Sequence, residues 1–260
     1  MVRHRSEAMN RFFVSRENIE GSSIRIHRAE DVHHMSKVLR LTEGDLVMVS
    51  DSTELEYLAK IIEMSRGEVL LQAVEKSPFQ REPNLRVTLF QGIPKQGKME
   101  FIVQKCTELG VDSVVPVFMD RTVVVDRGDY WKKVVHYQNI AEEAAKQCHR
   151  GKIPEIRQST ETTDMVERLK GFDVVLFPYE EEEGTTIKSF LSALDMSDLE
   201  EKHTRVALII GPEGGFSSRE VEEIRELGIQ PVSLGKTILR TETAGMAALA
   251  MTMYELELLG

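Results

Sequence analysis

The chain has 260 residues, 41% hydrophobic and 29% charged, which suits a two-domain globular protein and excludes a fibrous or low-complexity one. No apolar run approaches a membrane span, and the basic opening Met1-Val2-Arg3-His4-Arg5 lacks the apolar core of a signal peptide, so the expected location is the cytoplasm, with no membrane partner. A net charge of −10 argues against nucleic acid only if spread evenly, and it is not: residues 1–40 hold eight Lys/Arg against five Asp/Glu, residues 81–160 thirteen against ten, and residues 161–204 four against twelve.

In chain order, strand-like segments at Phe12–Val14, Leu46–Val49, Tyr57–Ile62 and Val69–Val74 alternate with turn signals such as Glu43-Gly44-Asp45 and Arg66-Gly67-Glu68. That rhythm predicts a small β-barrel over residues 1–80. One helix, Ala29 to Leu41, interrupts it. There Val32, Met35 and Leu39 share an apolar face, while His33, Lys37 and Arg40 fall at i, i+4 and i+7 on another. Such a face is either solvated or a phosphate-binding stripe.

Ser77-Pro78 and Glu82-Pro83 mark a linker, after which the pattern changes to strand–helix alternation and predicts a parallel α/β domain over residues 84–260. Strands are expected at Val87–Gln91, Val114–Phe118, Asp173–Phe177, Arg205–Ile210 and Pro231–Leu234. Helices are expected at Lys98–Leu109, Asp129–Cys148, Ile187–Leu194, from Ser218, and from Thr243 to Leu259. The last is apolar nearly all round, so more than one face should be covered. Cys106 and Cys148 stand in no zinc spacing and read as small core thiols. The acidic run Glu180 to Glu183, continued by Asp195, Asp198, Glu200 and Glu201, reads as a solvated segment.

Three strand exits attract attention. Val206–Ile210 runs directly into Gly211-Pro212-Glu213-Gly214-Gly215, then Ser217 and Glu220 form a capping box. Val232-Ser233-Leu234-Gly235 leads through Lys236-Thr237-Ile238-Leu239-Arg240 into the last helix, and Phe177 is followed by Pro178-Tyr179-Glu180. Glycine-bearing and irregular exits of this kind can form a cofactor crevice at the carboxyl edge of a parallel sheet. Taken alone, they could also be tight turns. A nicotinamide-dependent oxidoreductase would need Gly-x-Gly-x-x-Gly after a strand, and the Gly211–Gly215 spacing does not supply it.

The blocks LIIGPEGGFSSREVEEI and LGKTILRTETAGMAAL, with NRFFV, VHHMSKVLRLTEGD, KQGKMEFIVQKCTELGV and AAKQCHRGKIPEI in order along the chain, resemble the RsmE family. These are small-subunit ribosomal RNA uracil-N3 methyltransferases of the SPOUT superfamily. The resemblance implies an N-terminal PUA-like RNA-binding β-barrel and a SPOUT-type domain whose C-terminal segment forms a deep trefoil knot. It also implies S-adenosyl-L-methionine as methyl donor, 16S ribosomal RNA of the small subunit as substrate, methylation at N3 of uridine 1498, and a homodimer formed through the last helix and the Lys98–Leu109 helix.

On this reading Phe177, Pro178, Leu234, Ile238 and Leu239 wall the donor. Backbone at Gly211, Pro212, Glu213, Gly214 and Gly235 bonds it, with Arg240 and Thr243 adjoining. The N3 proton must leave, so a cation or a base is required. Arg240 and Arg150 are the cationic candidates, and Glu242 is either a base or an ion-pair partner fixing the loop. Arg11, His33, Lys37, Arg40, Lys95, Lys98 and Arg121 are the RNA-binding candidates. Family members often carry Asn after the arginine at 150, where this chain has Gly151. A catalytically inactive RNA-binding assembly factor of the same fold is the alternative function, and no metal is expected.

Overall fold

A computed structural model describes residues 9–79, 82–194 and 204–256. The acidic residues Asp195, Asp198, Glu200 and Glu201, and the expected end of the last helix beyond Leu256, lie outside the described residues. The chain divides into two compact units, one of Met1–Glu82 with Ala145–Ile153, the other of Pro83–Ala144 with Pro154–Gly260.

The first unit is a six-stranded sheet of β1 (Arg11–Phe13), β2 (Ile19–Glu20), β3 (Ser23–Ile26), β4 (Leu46–Ser50), β5 (Leu55–Met64) and β6 (Val69–Pro78). Its order is β1-β4-β5-β6-β3-β2, antiparallel except where β1 pairs with β4, and no ladder joins β1 to β2 among the described residues. The expected barrel is therefore a sheet whose two edges stay unpaired here. Along β5 the buried residues Tyr57, Ala59 and Ile61 alternate with more exposed ones, so one face covers a core shared with Phe12, Ile24, Met35, Val47, Val49 and Leu71.

The helix predicted over Ala29 to Leu41 is α1 (Ala29–His33) followed by a π-helical turn, His34–Val38. Leu39 N–H and Leu41 N–H reach back to His34 O and Met35 O, and Arg40 takes a left-handed φ of 54°. Widening the turn keeps Val32 and Met35 in the core. It also breaks the 3.6-residue register that aligned His33, Lys37 and Arg40, although all three remain exposed.

The Ala145–Ile153 segment joins this unit through polar contacts that sequence order alone does not reveal. Arg150 donates to both oxygens of Glu82, at 3.3 and 2.7 Å, and Glu82 also accepts the Gly151 and Lys152 N–H groups. Ser50 Oγ donates to Gly151 O, and Lys146 pairs with the buried Asp31 at 3.1 Å. A Cβ at Gly151 would lie 2.5 Å from the Phe79 ring, which gives a steric reason for glycine at this position.

The second unit is a parallel sheet of β7 (Arg86–Gly92), β8 (Ser113–Phe118), β9 (Glu155–Ile156), β10 (Thr160–Glu161), β11 (Val174–Pro178), β12 (Arg205–Ile210) and β13 (Pro231–Val232). The strands run β10-β8-β7-β12-β11-β13, with β9 paired to β8. Central strands covered on both faces read as continuous apolar runs, and β12 is buried at every position after Arg205. On one face, α4 (Thr162–Leu169) and α6 (Ser218–Glu226) cover Phe90, Val115, Val117, Ala207 and Ile209. Across the sheet, α7 (Thr241–Leu256) packs on β7 and β12 and against α2 (Lys98–Glu108) and α5 (Ile187–Leu191).

Buried Gly245, Ala248, Leu249 and Thr252 form the inner stripe of α7, whereas Met251 and Tyr254 are exposed. The remaining long helix is α3 (Trp131–Gln147). Asp126 Oδ1 accepts the N–H groups of Gly128, Asp129 and Tyr130 ahead of it. Cys106 is buried on α2, where burial pushes its thiol up to about 12, and Cys148 is half-buried.

Candidate functional site

At the carboxyl edge of the second unit's sheet, the exits of β11, β12 and β13 converge on a cleft of about 400 Å³. Pro178, Tyr179 and Glu180 come from the first exit, Gly211, Pro212, Glu213, Gly215 and Phe216 from the second, and Ser233 through Arg240 from the third. Ile210 at the end of β12, Thr241 and Ala244 of α7 and Lys98 of α2 complete the lining. Neighbouring strands hold these loops together: Tyr179 N–H donates to Val232 O at 3.0 Å, and Ser233 N–H to Thr185 O at 2.8 Å.

Aromatic packing shapes the loop after β12. Phe216 sits edge-on to Phe177 at 4.9 Å and also contacts Tyr179, which stacks on Phe177 at 5.8 Å. Phe177 is fully buried beneath the cleft and does not line it. The chain reverses through Gly215, whose N–H donates to Pro212 O at 3.0 Å and whose φ is +67°. Gly214 faces away from the cleft. Arg121 Nη1 donates to its carbonyl at 2.8 Å, and a Cβ there would meet Arg121 Cβ at 3.0 Å.

Beneath the same loop lies Gly92, the last residue of β7. A Cβ on it would stand 2.5 Å from Pro212 N, so only a glycine lets the loop sit this low on the sheet. Next to it the fully buried Gln91 donates through Nε2 to Gly92 O at 2.9 Å and to Thr241 Oγ1 at 2.8 Å. Thr241 in turn donates to Gly211 O at 2.6 Å.

Apart from Glu180 of the β11 exit, the charges at the cleft fall into two groups. Lys98 lies 3.0 Å from Glu213 and 3.1 Å from Glu242, and Glu213 also accepts the Lys95 N–H. The hydrogen bond to Glu213 holds the Lys98 ammonium above its ordinary value, with Glu242 adding to it. Partial burial works against charge on Glu213, but Lys98 and the backbone N–H donors outweigh it and keep that carboxyl below its usual range. Arg240 and Lys236 are different. Both line the cleft, both are exposed, and neither side chain makes a hydrogen bond or ion pair among the described residues. Apolar surface comes from Leu234, Leu239 and Ile238, the last 83% exposed at the mouth.

Comparison with known proteins decides what such a cleft belongs to. Residues 81–253 match the RNA methyltransferase domain and residues 28–74 the RNA methyltransferase PUA domain. Ribosomal RNA small subunit methyltransferase E of Bacillus subtilis is 33% identical over 254 residues, covering 96% of this chain and 98% of its own. This chain belongs to the ribosomal RNA small subunit methyltransferase E family.

Two solved relatives carry a ligand. The family member from Neisseria gonorrhoeae, bound to S-adenosyl methionine, matches with a TM-score of 0.80 at 25% identity, covering 95% of this chain and 97% of its own. A Legionella pneumophila protein in complex with the bound cofactor SAM matches at 0.78 and 31%, with coverage of 95% and 97%.

Among the expected site residues, Pro178, Gly211, Pro212, Glu213, Leu234, Gly235, Ile238, Leu239 and Arg240 meet at the cleft, while Phe177, Gly214 and Thr243 are not among its lining residues. Thr243 sits in the first turn of α7, where its N–H donates to Arg240 O. Arg150 is buried on Glu82 in the first unit and is not among the cleft's lining residues. Glu242 meets Lys98, so the ion-pair alternative describes its contact, with lysine rather than Arg240 as partner.

The RNA-binding candidates divide as well. Arg11 is 7% exposed and bonded to Glu56 at 2.9 Å, which leaves no face for a phosphate, and Lys98 is taken by its two carboxylates. His33, Lys37, Arg40, Lys95 and Arg121 are exposed. Gln91, Gly92 and Thr241 were missed. A polar residue and a glycine closing the mostly apolar strand VTLFQG were the available signal. Among the described residues no cluster of His, Cys, Asp and Glu could hold a metal, and no helix is long and apolar enough to cross a membrane.

Proposed function

We propose that this chain uses S-adenosylmethionine to methylate 16S ribosomal RNA of the small subunit, at N3 of the uridine numbered 1498. The observation that carries the reading is the convergence of three strand exits on one cleft in a member of this family. Its volume of about 400 Å³ falls in the range of small-molecule sites, and its apolar walls with backbone polar groups suit an adenosine and a methionine tail.

When bound, the donor supplies an electrophilic methyl group, which passes from sulfur to nitrogen in line as the C–S bond breaks and the N–C bond forms. The protein has to hold the two reactants in that line and keep water out. Leu234, Ile238 and Leu239 would cover the donor, and the Gly211–Gly215 loop would bond it. The N3 proton passes to solvent water before the methyl arrives, and until the N–C bond forms the pyrimidine carries a negative charge. Arg240, unpaired in the cleft, is the cation that would stabilise it. We assign Glu242 to the ion pair with Lys98 and not to proton transfer.

Further parts of the reading concern architecture and partners. The first unit is taken as the RNA-holding domain, with His33, Lys37 and Arg40 toward phosphates and Lys95 and Arg121 adding positive charge beside the cleft loop. The path from β13 through the cleft into α7 is taken to form the deep trefoil knot. Exposed Phe101 and Leu109 near or on α2, with Met251 and Tyr254 on α7, support a homodimer through those helices. Primer extension across ribosomal RNA from cells lacking this protein tests the central assignment, because N3 methylation blocks copying. Loss of one stop at the target uridine is expected. An unchanged pattern of stops would refute it.

A further inference from the structure

Lys98 stands in the first turn of α2, with one carboxylate from each of two other segments against its ammonium. Glu213 belongs to the exit of β12, and Glu242 to the start of α7. Glu213 is tied to the α2 side a second time, through the Lys95 N–H at 3.1 and 3.2 Å from its two oxygens. Two segments leaving different strands are thereby pinned to one point. Immediately before Glu242, Thr241 pins the same pair independently, donating to Gly211 O and accepting from the buried Gln91.

Arg240 precedes these two anchored residues, and its carbonyl accepts the Thr243 and Ala244 N–H groups. Its backbone is therefore fixed at the lip of the cleft while its side chain stays unengaged among the described residues. Removing the charge at Lys98 would leave two half-buried carboxylates facing each other with nothing between them, and like charges would drive the loops apart. An RNA phosphate on Lys98 would add a third anion at the same point.

We propose that Lys98 is a positioning residue: by bridging Glu213 and Glu242 it sets the separation of the two cofactor loops and holds Arg240 at the acceptor, and it does not bind RNA. This rests on the reading of the cleft as the donor and acceptor site.

The test compares wild type, Lys98→Met and Lys98→Met/Glu213→Gln by calorimetric titration with S-adenosylmethionine, by kcat on unmethylated small subunits, and by RNA affinity across salt. Lys98→Met should lower kcat on the order of 10²-fold and weaken donor binding, because a displacement of about 1 Å at a reacting centre has that effect. RNA affinity and its salt slope should not change. Taking away one of the two facing carboxylates in the double variant should recover most of the donor affinity, which loss of a phosphate contact would not allow. The proposal is overturned if Lys98→Met keeps donor affinity and kcat within about twofold while losing RNA affinity with a shallower salt slope. It is also overturned if the double variant binds donor no better than the single one. Donor affinity needs no RNA, so the series reads the lock even if wild type transfers no methyl to ribosomal RNA, a result that would sink the function and leave the lock standing.

Discussion

Replacing Gly92 with alanine probes the cleft without substituting any residue that lines it. The new Cβ would stand 2.5 Å from Pro212 N, 2.6 Å from Pro212 Cδ and 2.9 Å from Gly211 C. Carbon atoms pack comfortably at about 3.5 Å, so the loop has to withdraw by about 1 Å. Backbone is the obstacle, so no side-chain rotation relieves the clash.

Withdrawal is resisted by Thr241 on Gly211 O and by the Lys95 N–H and Lys98 on Glu213, so strand end and loop share the strain. Overpacking of this kind costs about 1–3 kcal/mol, which a folded domain survives. Gly211 and Pro212 line the cleft, however, and misplacing them by about 1 Å should lower kcat/KM on the order of 10²-fold. The assay pairs a melting curve with donor titration and methyl transfer to unmethylated small subunits. A variant that melts normally and both binds and transfers within about twofold of wild type would show that the loop's seat on β7 does not govern the site.

Arg240→Ala should leave the melting temperature and donor affinity near wild type while lowering kcat by about 10²–10³-fold, the usual effect of deleting one group that stabilises developing charge. Retained kcat in single-turnover transfer would remove Arg240 from that role. Reversing charge at Lys37 and Arg40 should weaken RNA binding and reduce the salt slope by about 2, with donor affinity untouched, and equal RNA binding at low salt would make that surface merely solvated. Asp51 provides a pH test. Burial opposes its charge, but the N–H groups of Thr53, Glu54 and Leu55 outweigh that and lower its pKa from 3.8 to about 2. A depressed carboxyl stabilises the fold fully above its unfolded value, and the benefit disappears as pH falls through the folded one. Asp51→Asn should therefore lose up to about 2 kcal/mol in urea melts at neutral pH, with the gap to wild type closing between pH 3.8 and about 2. A gap independent of pH would contradict this.

Much of the architecture is local and therefore legible. The continuous apolar run at Val206–Ile210, the capping box at Ser217 and Glu220, and the change of period after Pro83 each reflect a short-range rule, and strand, cap and parallel sheet stand where those rules put them. What escaped depends on contacts between distant positions. Arg11 and Arg150 look like free cations in sequence, yet Glu56 and Glu82, 45 and 68 residues away, occupy them. Lys98 reads as a phosphate ligand until Glu213 and Glu242 arrive from other strands. Gly214 and Gly92 exchange importance for the same reason, since which glycine is indispensable depends on what packs over it. The π-turn at His34–Val38 defeats the 3.6-residue template because the register shift satisfies tertiary packing of Met35, not local propensity.

The position of the donor in crystals grown with S-adenosylmethionine is the most direct measurement. The account predicts the adenosyl group between the Gly211–Phe216 and Ser233–Leu239 segments, with the sulfonium methyl turned toward Arg240. Donor density elsewhere on the chain, or a methyl group directed away from Arg240, would contradict it.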